Sequence, residues 1–325
     1  MAFVGVMFFG IARLIYPDSE QGDVTAGGTS ASKQSGGAVN ILFLGMDREA
    51  SLCDVIMIAN IDFDKNSVTI AQIPRDTYAD YTDNSYKKLN GVYNSLGGAK
   101  EVADFLEGAL GVKIDHHICI GLETVRAMVD AVGGVDVNVP CDMTYCDPGQ
   151  DLYIYIKSGI NHLDGELAEQ FLRFRSDYVQ GDIGRMDAHK IFVSAFIEKI
   201  CSSFSPTLAM SLASAIEGVE TDMSVADIMS IGVQVIDMRD DKINILTLAG
   251  RDVVATQSGA SYYVLSRPSC EEIMKKYFGG TGFDKNKVLL NKRYQSFKDA
   301  YFNRVEYTVL PISKIRKDGI DIQIK

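Results

Sequence analysis

Hydrophobic positions along this chain follow two rhythms that take turns. Val39-Asn-Ile-Leu-Phe-Leu-Gly45 is a nearly continuous apolar run ended by glycine, which predicts a central strand with Asp47 at its carboxyl end. Asp54 opens a second run, Val55 to Ile61, and Asp64-Lys-Asn66 turns the chain into a third, Ser67 to Ile73, so a hairpin is expected. Pro74-Arg75-Asp76 stops that strand. Asp47, Asp54, Arg75 and Asp76 are therefore all expected near sheet ends, where open α/β sheets hold ligands.

The period then lengthens. Residues 86 to 96 read as helix, and beyond Gly97-Gly98 the positions Val102, Phe105, Leu106 and Ala109 share one face of a helix over 99 to 110. A strand over 113 to 120, a helix over 123 to 132 stopped by Gly133-Gly134, and a half-exposed strand over 135 to 139 follow. Segment 140 to 152 reads as loop and 153 to 156 as a short strand. Asp164 is placed to cap a helix reaching Leu172. Helices over 183 to 202, 206 to 217, 224 to 238 and 268 to 278 are expected, with a strand over 242 to 248. From 281 to 325 the pattern weakens, leaving 307 to 310 and 320 to 324 as candidate strands. Strands and helices interleave throughout, so the class is α/β: a mixed central β-sheet sandwiched by helices.

Residues 2 to 16 are almost wholly apolar apart from Arg13, and as a helix would reach roughly 22 Å, short of the roughly 30 Å of a bilayer core. No Lys or Arg precedes them, as a signal peptide would require. Residues 1–17 are read as the remnant of an N-terminal membrane anchor, and the Gly- and Ser-rich stretch 18–38 as a flexible tether. A main domain over 39–270 and an extension of unassigned role over 271–325 complete the organisation.

Composition narrows the possible partners. With 46% apolar and 23% charged residues the chain buries a large core, and its net charge of −11 opposes non-specific binding to nucleic acid or to anionic lipid. Any cluster of cations must then be a local, shaped site. Cys141 and Cys146 are spaced to close a small loop in an oxidising exterior, while Cys53, Cys119, Cys201 and Cys270 sit in apolar surroundings and read as buried thiols. No Cys/His spacing resembles a zinc site, and His116 and His117 read as structural or surface residues.

Such a cluster lies between Phe171 and Lys190. Arg173 and Arg175 are two apart, so in an extended segment both leave one face while Leu172 and Phe174 leave the other. Gly181-Asp182 breaks the chain, and on the helix that follows Arg185 and His189 share a face, with Phe192 and Phe196 continuing it inward as an apolar groove. Planar guanidinium groups at the mouth of such a groove suit a diphosphate, which they bind bidentately. Salt bridges to Asp177, Asp182 and Asp187 are the competing explanation. Asp47 and Asp54 are candidate oxygen ligands for Mg²⁺, or Mn²⁺ in its place.

The order of these motifs resembles the LytR-CpsA-Psr family of bacterial envelope enzymes. It is carried by Asn40-Ile-Leu-Phe-Leu-Gly-Met-Asp47, Asp54-Val-Ile-Met-Ile-Ala-Asn60, Ile73-Pro-Arg-Asp-Thr77, Val129-Asp-Ala-Val-Gly-Gly-Val-Asp-Val137, Gly159-Ile-Asn-His-Leu-Asp-Gly165, Arg173-Phe-Arg175 and Gly181-Asp-Ile-Gly-Arg185. The resemblance implies a domain on the extracellular face of a Gram-positive-type cell membrane, held by a single N-terminal span. It implies transfer of an anionic glycopolymer, of teichoic acid or capsular polysaccharide type, from a polyprenyl diphosphate carrier to peptidoglycan. It further implies that Asp47 and Asp54 match the Mg²⁺-associated aspartates, that Arg75, Arg173, Arg175 and Arg185 match the diphosphate-binding arginines with Asp182 beside them, and that the lipid tail occupies an apolar interior pocket. Asp54 and Asp76 are the candidate bases.

The chain also departs from the family pattern. Leu52-Cys53-Asp54 stands where Arg-Ser-Asp is usual, and Ala188-His189 where Arg-Gln is usual. His189 retains a hydrogen-bond donor for phosphate, and Arg48 is a candidate substitute for the cation missing at Leu52. These departures raise two alternatives to an active transferase: a polyprenyl-diphosphate-binding module with weakened turnover, and a diphosphate hydrolase.

Overall fold

The computed structural model describes residues 37–325, apart from 48–51, 82–86, 204, 217–218, 237, 239, 257, 284–288 and 290–293. The expected anchor and nearly all of the tether lie outside the described residues, as does Arg48. No helix among the described residues is long and apolar enough to cross a membrane.

The first three apolar runs form β1 (Ala38–Asp47), β2 (Leu52–Asp62) and β3 (Ser67–Ile73), an antiparallel meander in which Ile41 faces Ala59 and Ile58 faces Ala71. They are continuous rather than alternating runs because both of their faces are covered. Ile41, Phe43, Met57 and Ile70 pack into one apolar layer, and Leu42, Leu44, Ile58 and Ala71 into the other. The first layer is closed by helices Leu122–Ala131, Gly165–Arg173 and Asp182–Ser203, the second by Ala99–Leu110 and Arg267–Tyr277. The result is an α/β sandwich.

β4 (His116–Ile120) runs parallel to β1, and β10 (Ile243–Thr247) runs parallel to β3. Short edge strands β9 (Glu220–Thr221) and β13 (Leu310–Pro311) complete a mixed sheet of order β13-β10-β3-β2-β1-β4-β9. The open ends of β2 and β3 and the amino end of helix Asp182–Ser203 meet at one side of this sheet.

Several elements differ from the sequence expectation. The helix expected over 86 to 96 starts late, with a 3₁₀ turn at Leu89–Gly91 and α-helix only over Val92–Leu96. Its first residues are committed elsewhere: Leu89 N donates to Thr77 O at 2.9 Å and Asn90 N to Arg75 O at 3.0 Å. The expected loop 140 to 152 contains β6 (Met143–Asp147), joined to β7 (Leu152–Ile156) by a turn in which Asp147 accepts from Gly149 N at 3.0 Å. Cys141 is buried in the core and Cys146 exposed on β6, and both are free thiols; the strand carries them apart, so no loop is closed. β8 (Gly159–Leu163) pairs with β5 (Val135–Val139), and β11 (Gly250–Val254) with β12 (Ser261–Leu265). Both β8 and β11 carry the mixed polar pattern of exposed strands, which periodicity alone did not separate from loop. In the C-terminal part, helices Gln295–Phe302 and Ile312–Asp318 form, and Ile320–Ile324 makes only an isolated bridge, from Ile324 to Tyr178.

Phe192 is fully buried, tilted against Phe171 at 6.0 Å and stacked on Phe196 at 6.2 Å. Phe192→Ala is expected to lower unfolding free energy by about 3–5 kcal/mol, whereas Met210→Ala, at a residue 65% exposed, should stay within about 0.5 kcal/mol; urea titration of both checks this.

Candidate active site

Asp54 owes its position to a β-bulge. β1 and β2 pair Gly45 with Val55 but Met46 with Cys53, which leaves Asp54 as the extra residue. A bulge re-aims side chains that strict alternation would send to the opposite face. Cys53 packs with Leu42 and Leu44 in one layer, while Leu52, Asp54 and Val55 line a cavity of about 210 Å³ on the other side.

Arg75 enters the same cavity from the end of β3. Its Nη1 donates to Asp54 Oδ1 at 2.5 Å. Opposite, Gly181 takes a left-handed φ of +55° that suits glycine, and the chain turns into helix Asp182–Ser203. Asp182 on its first turn lies between two guanidinium groups: Oδ1 is 3.3 Å from Arg75 Nε and 2.7 Å from Arg185 Nη2. The approach is off the N–H axes, so these contacts are ionic. Both Asp182 carboxylate oxygens, and the Nε atoms of Arg75 and Arg185, are buried without a hydrogen bond. Arg185 is 5% exposed; its Nη2 donates to the Asp54 backbone carbonyl at 3.3 Å, and its Nη1 is 4.0 Å from Asp54 Oδ2.

The two cations feel this setting differently. Burial lowers the Arg185 pKa, only partly countered by Asp182, with Arg75 adding repulsion. Burial also works against the Arg75 charge, but Asp182 and Asp54 outweigh it and its pKa is raised. Neither group loses its charge at physiological pH, because a guanidinium titrates far above it.

Arg173 and Arg175 close the mouth. Asp164 caps helix Gly165–Arg173, accepting from Leu167 N at 2.9 Å. Arg173 is thus the last helical residue rather than part of an extended segment, and Phe174, with φ −65° and ψ 135°, is the switch out of the helix. That change of conformation sends Phe174 into the core and returns Arg175 to the cavity. Arg173 Nη1 is 3.0 Å from buried Glu169 Oε1, and Glu169 also pairs with Arg126. Arg175 is exposed and, among the described residues, has no carboxylate within ion-pair distance.

Arg75, Arg173, Arg175 and Arg185 therefore surround one cavity together with Asp54, while Asp182 lies just beneath. Other candidates fall differently. Asp76 does not line the cavity and pairs with Lys88 at 3.0 Å. Asp47 ends β1 opposite Leu52, and its side chain lies outside the described residues. His189 lines the cavity floor, but its Nε2 donates to Leu172 O at 2.9 Å, so in that tautomer Nδ1 is an acceptor. It cannot present that N–H to phosphate. Burial, reinforced by the Arg185 charge, pushes its pKa well below 6.5 and keeps the ring neutral. Met46, Leu52, Val55, Leu122 and Leu172 form the apolar wall. Phe192 and Phe196, expected to extend that wall inward, are packed core. Sequence reasoning missed Glu169, although its position four residues before Arg173 is the standard helical ion-pair spacing, and missed Tyr145 and Leu152, which line the cavity from the unrecognised hairpin.

A model of the LytR_cpsA_psr family matches residues 15–278. The chain belongs to the LytR_cpsA_psr family. Within it, the chain is 28% identical over 246 residues to a polyisoprenyl-teichoic acid–peptidoglycan teichoic acid transferase, TagV of Bacillus subtilis, covering 73% of this chain and 63% of that relative. It is 29% identical over 245 residues to the TagU transferase of Enterococcus faecalis, covering 71% and 78%. The crystal structure of B. subtilis TagV superposes with a TM-score of 0.65 at 26% identity, covering 74% of this chain and 96% of that one. The mixed sheet between helical layers is the fold of this LytR_cpsA_psr domain.

A histidine that stays neutral when folded destabilises the protein in acid. Below pH 6.5 the unfolded chain takes up a proton that folded His189 refuses, so its contribution is intact above that pH and is lost as pH falls, by up to about 1.4 kcal/mol per unit. His189→Gln keeps a donor for Leu172 and removes the titration. Urea unfolding at pH 7.5 and 5.5 should show a difference about 1 kcal/mol smaller in the variant.

Proposed function

We propose that this protein is a membrane-anchored extracellular phosphotransferase. It moves an anionic glycopolymer, of teichoic acid or capsular type, from a polyprenyl diphosphate carrier to peptidoglycan. The observation that carries this reading is the meeting of Arg75, Arg173, Arg175 and Arg185 with Asp54 at one cavity of about 210 Å³. That volume suits a charged headgroup and the first part of its chain rather than a whole lipid, since drug-sized pockets start near ~300 Å³. The names of the TagV and TagU relatives supply the donor and acceptor classes.

The acceptor hydroxyl attacks the phosphorus that bears the sugar. A phosphodiester O–P bond forms, the bridging P–O bond of the diphosphate breaks, and polyprenyl phosphate leaves with the electron pair. Asp54 is the base that the geometry favours for the hydroxyl proton: it faces the cavity, with Arg75 holding Oδ1 and Oδ2 left at 4.0 Å from Arg185. Asp76, paired with Lys88, does not face it. Arg185 and Arg75 stabilise charge on the leaving phosphate, and Arg173 and Arg175 orient the diphosphate from the mouth.

The donor set also fits a divalent ion. Among the described residues no group of three carboxylate, His or Cys side chains could hold one alone. Mg²⁺, however, takes one or two carboxylates and completes its shell with substrate phosphates and water. The buried Asp182 oxygens, which accept no hydrogen bond, suit such an ion, with Asp47 the further candidate; Asp54 Oδ2 would hold the ion only in place of its role as base. When bound, Mg²⁺ or Mn²⁺ would offset the charge of the diphosphate.

A second reading rests on the cavity wall. Leu52 places an apolar side chain in the lining, and His189 has spent its N–H on Leu172, so the site supplies fewer donors to a transition state than the family pattern does. This favours a binding module that retains the lipid diphosphate but turns it over slowly. Purified protein, Mg²⁺, a lipid-diphosphate-linked glycan and peptidoglycan separate the readings. Transfer supports the phosphotransferase, tight binding without product supports the module, and phosphate release to water alone supports a hydrolase. For the transferase, Arg185→Ala is expected to reduce kcat by about 10²–10³-fold, and EDTA to abolish turnover restorable by Mg²⁺.

A further inference from the structure

The loop from Phe174 to Gly181, which carries Arg175, is held from two sides. On its inner side Phe174 and Tyr178 are buried and meet edge to face at 5.5 Å. Gly184 lets the following helix approach so closely that a Cβ there would lie 2.6 Å from Tyr178 Cβ. On its outer side runs a segment from the far end of the chain. Val179 N donates to Gln323 O at 2.9 Å and Lys325 N to Asp177 O at 2.8 Å, the paired bonds of an antiparallel bridge between Tyr178 and Ile324. Lys325 Nζ adds a bond to Ser176 O at 2.7 Å. Ile322 belongs to the buried core and Ile320 packs against it, so the segment is itself anchored. It lies beyond residue 278, where the family match ends.

We propose that Ile320–Lys325 is a strap that positions Arg175 for the diphosphate. The proposal rests on the reading of Arg175 as a phosphate ligand. Ser176, which the strap holds, lines the cavity beside Arg175. Between the buried rings of Phe174 and Tyr178 the chain is exposed or half-exposed, and Arg175 has no carboxylate partner among the described residues to fix it. The three strap bonds fall on Ser176, Asp177 and Val179, the residues that determine where Arg175 starts from. Without them ligand binding would have to order the loop, and ordering a rotamer-rich side chain and its backbone weakens affinity. Residues 320–325 thus act on the site without touching the ligand.

Lys325→Pro tests this in the full chain. It removes the backbone donor to Asp177 and the ammonium at Ser176 together, whereas Lys325→Arg keeps both donors. Hydrogen exchange across residues 174–181 reads the strap directly, and calorimetric titration with geranylgeranyl diphosphate and Mg²⁺ reads its effect on binding. Lys325→Pro is expected to speed exchange in that segment and weaken binding by about 3–10-fold with an unchanged thermal midpoint, while Lys325→Arg behaves as the native protein. Arg175→Ala should weaken binding, and adding Lys325→Pro to it should cause no further loss, because the two act through one side chain. Unchanged exchange in Lys325→Pro, unchanged affinity, or a full additional loss in the double variant would each overturn the strap. Native affinity in Arg175→Ala would instead overturn the reading of Arg175 as a phosphate ligand, and the strap's role in binding with it.

Discussion

A carboxylate shared between two guanidinium groups governs the architecture of this site. Asp182 touches both Arg75 and Arg185, and Asp54 stands on the far side of the same pair. Two cations this close and this buried would repel each other and lose hydration; the two aspartates outweigh these penalties at Arg75 and offset them in part at Arg185. The arrangement requires three separate elements to converge: the bulged start of β2, the end of β3, and the first turn of helix Asp182–Ser203. The two strands are neighbours in one hairpin, but Arg185 on the helix is 131 residues from Asp54, so the sheet and its covering helix are what make the site possible.

The four arginines then divide by exposure. Arg75 and Arg185 are fixed inside by the aspartates, while Arg173 and Arg175 stand at the rim, the first tethered by Glu169 and the second unpaired among described carboxylates. An incoming anion meets the more exposed cations first and the aspartate-paired cations last. Groups held in place beforehand lose little freedom when charge develops near them, which is the condition under which buried dipoles and cations act most strongly. The apolar wall from Met46 to Leu172 lies beside this gradient, so a ligand with a charged head and a greasy start finds both on one surface.

Much of this was legible in the sequence because it depends on local rules. Continuous apolar runs marked β1 to β3, Asp164 marked a helix start, and Gly181 marked the break before Asp182. Spacing put Arg185 and His189 on one face, where the structure also has them. What was not legible depends on partners distant in sequence. Leu89 and Asn90 read as helical but are bonded to Thr77 and Arg75, and β6 looked like loop because Thr144, Tyr145 and Cys146 in its middle are all exposed, although its partner β7 was expected over 153 to 156. His189 carried a donor in principle, but only the position of the Leu172 carbonyl shows that the donor is already engaged. The aspartate pair at Asp54 and Asp76 looked equivalent, and it took Lys88 to separate them.

The one-residue irregularity in β2 also decides the fate of a thiol. Cys53 is the chain neighbour of Asp54, yet the bulge turns it into the opposite layer, against the Met46 sulfur at 3.3 Å and near Cys119. Burial, with Cys119 and Asp54 adding to it, raises the Cys53 pKa far above the ordinary thiol range. Since only the thiolate is a good nucleophile, burial and a raised pKa both work against reaction of this sulfur with alkylating agents and mild oxidants. A cysteine can therefore sit next to a cavity-lining carboxylate while its own sulfur is shut away from whatever enters the cavity.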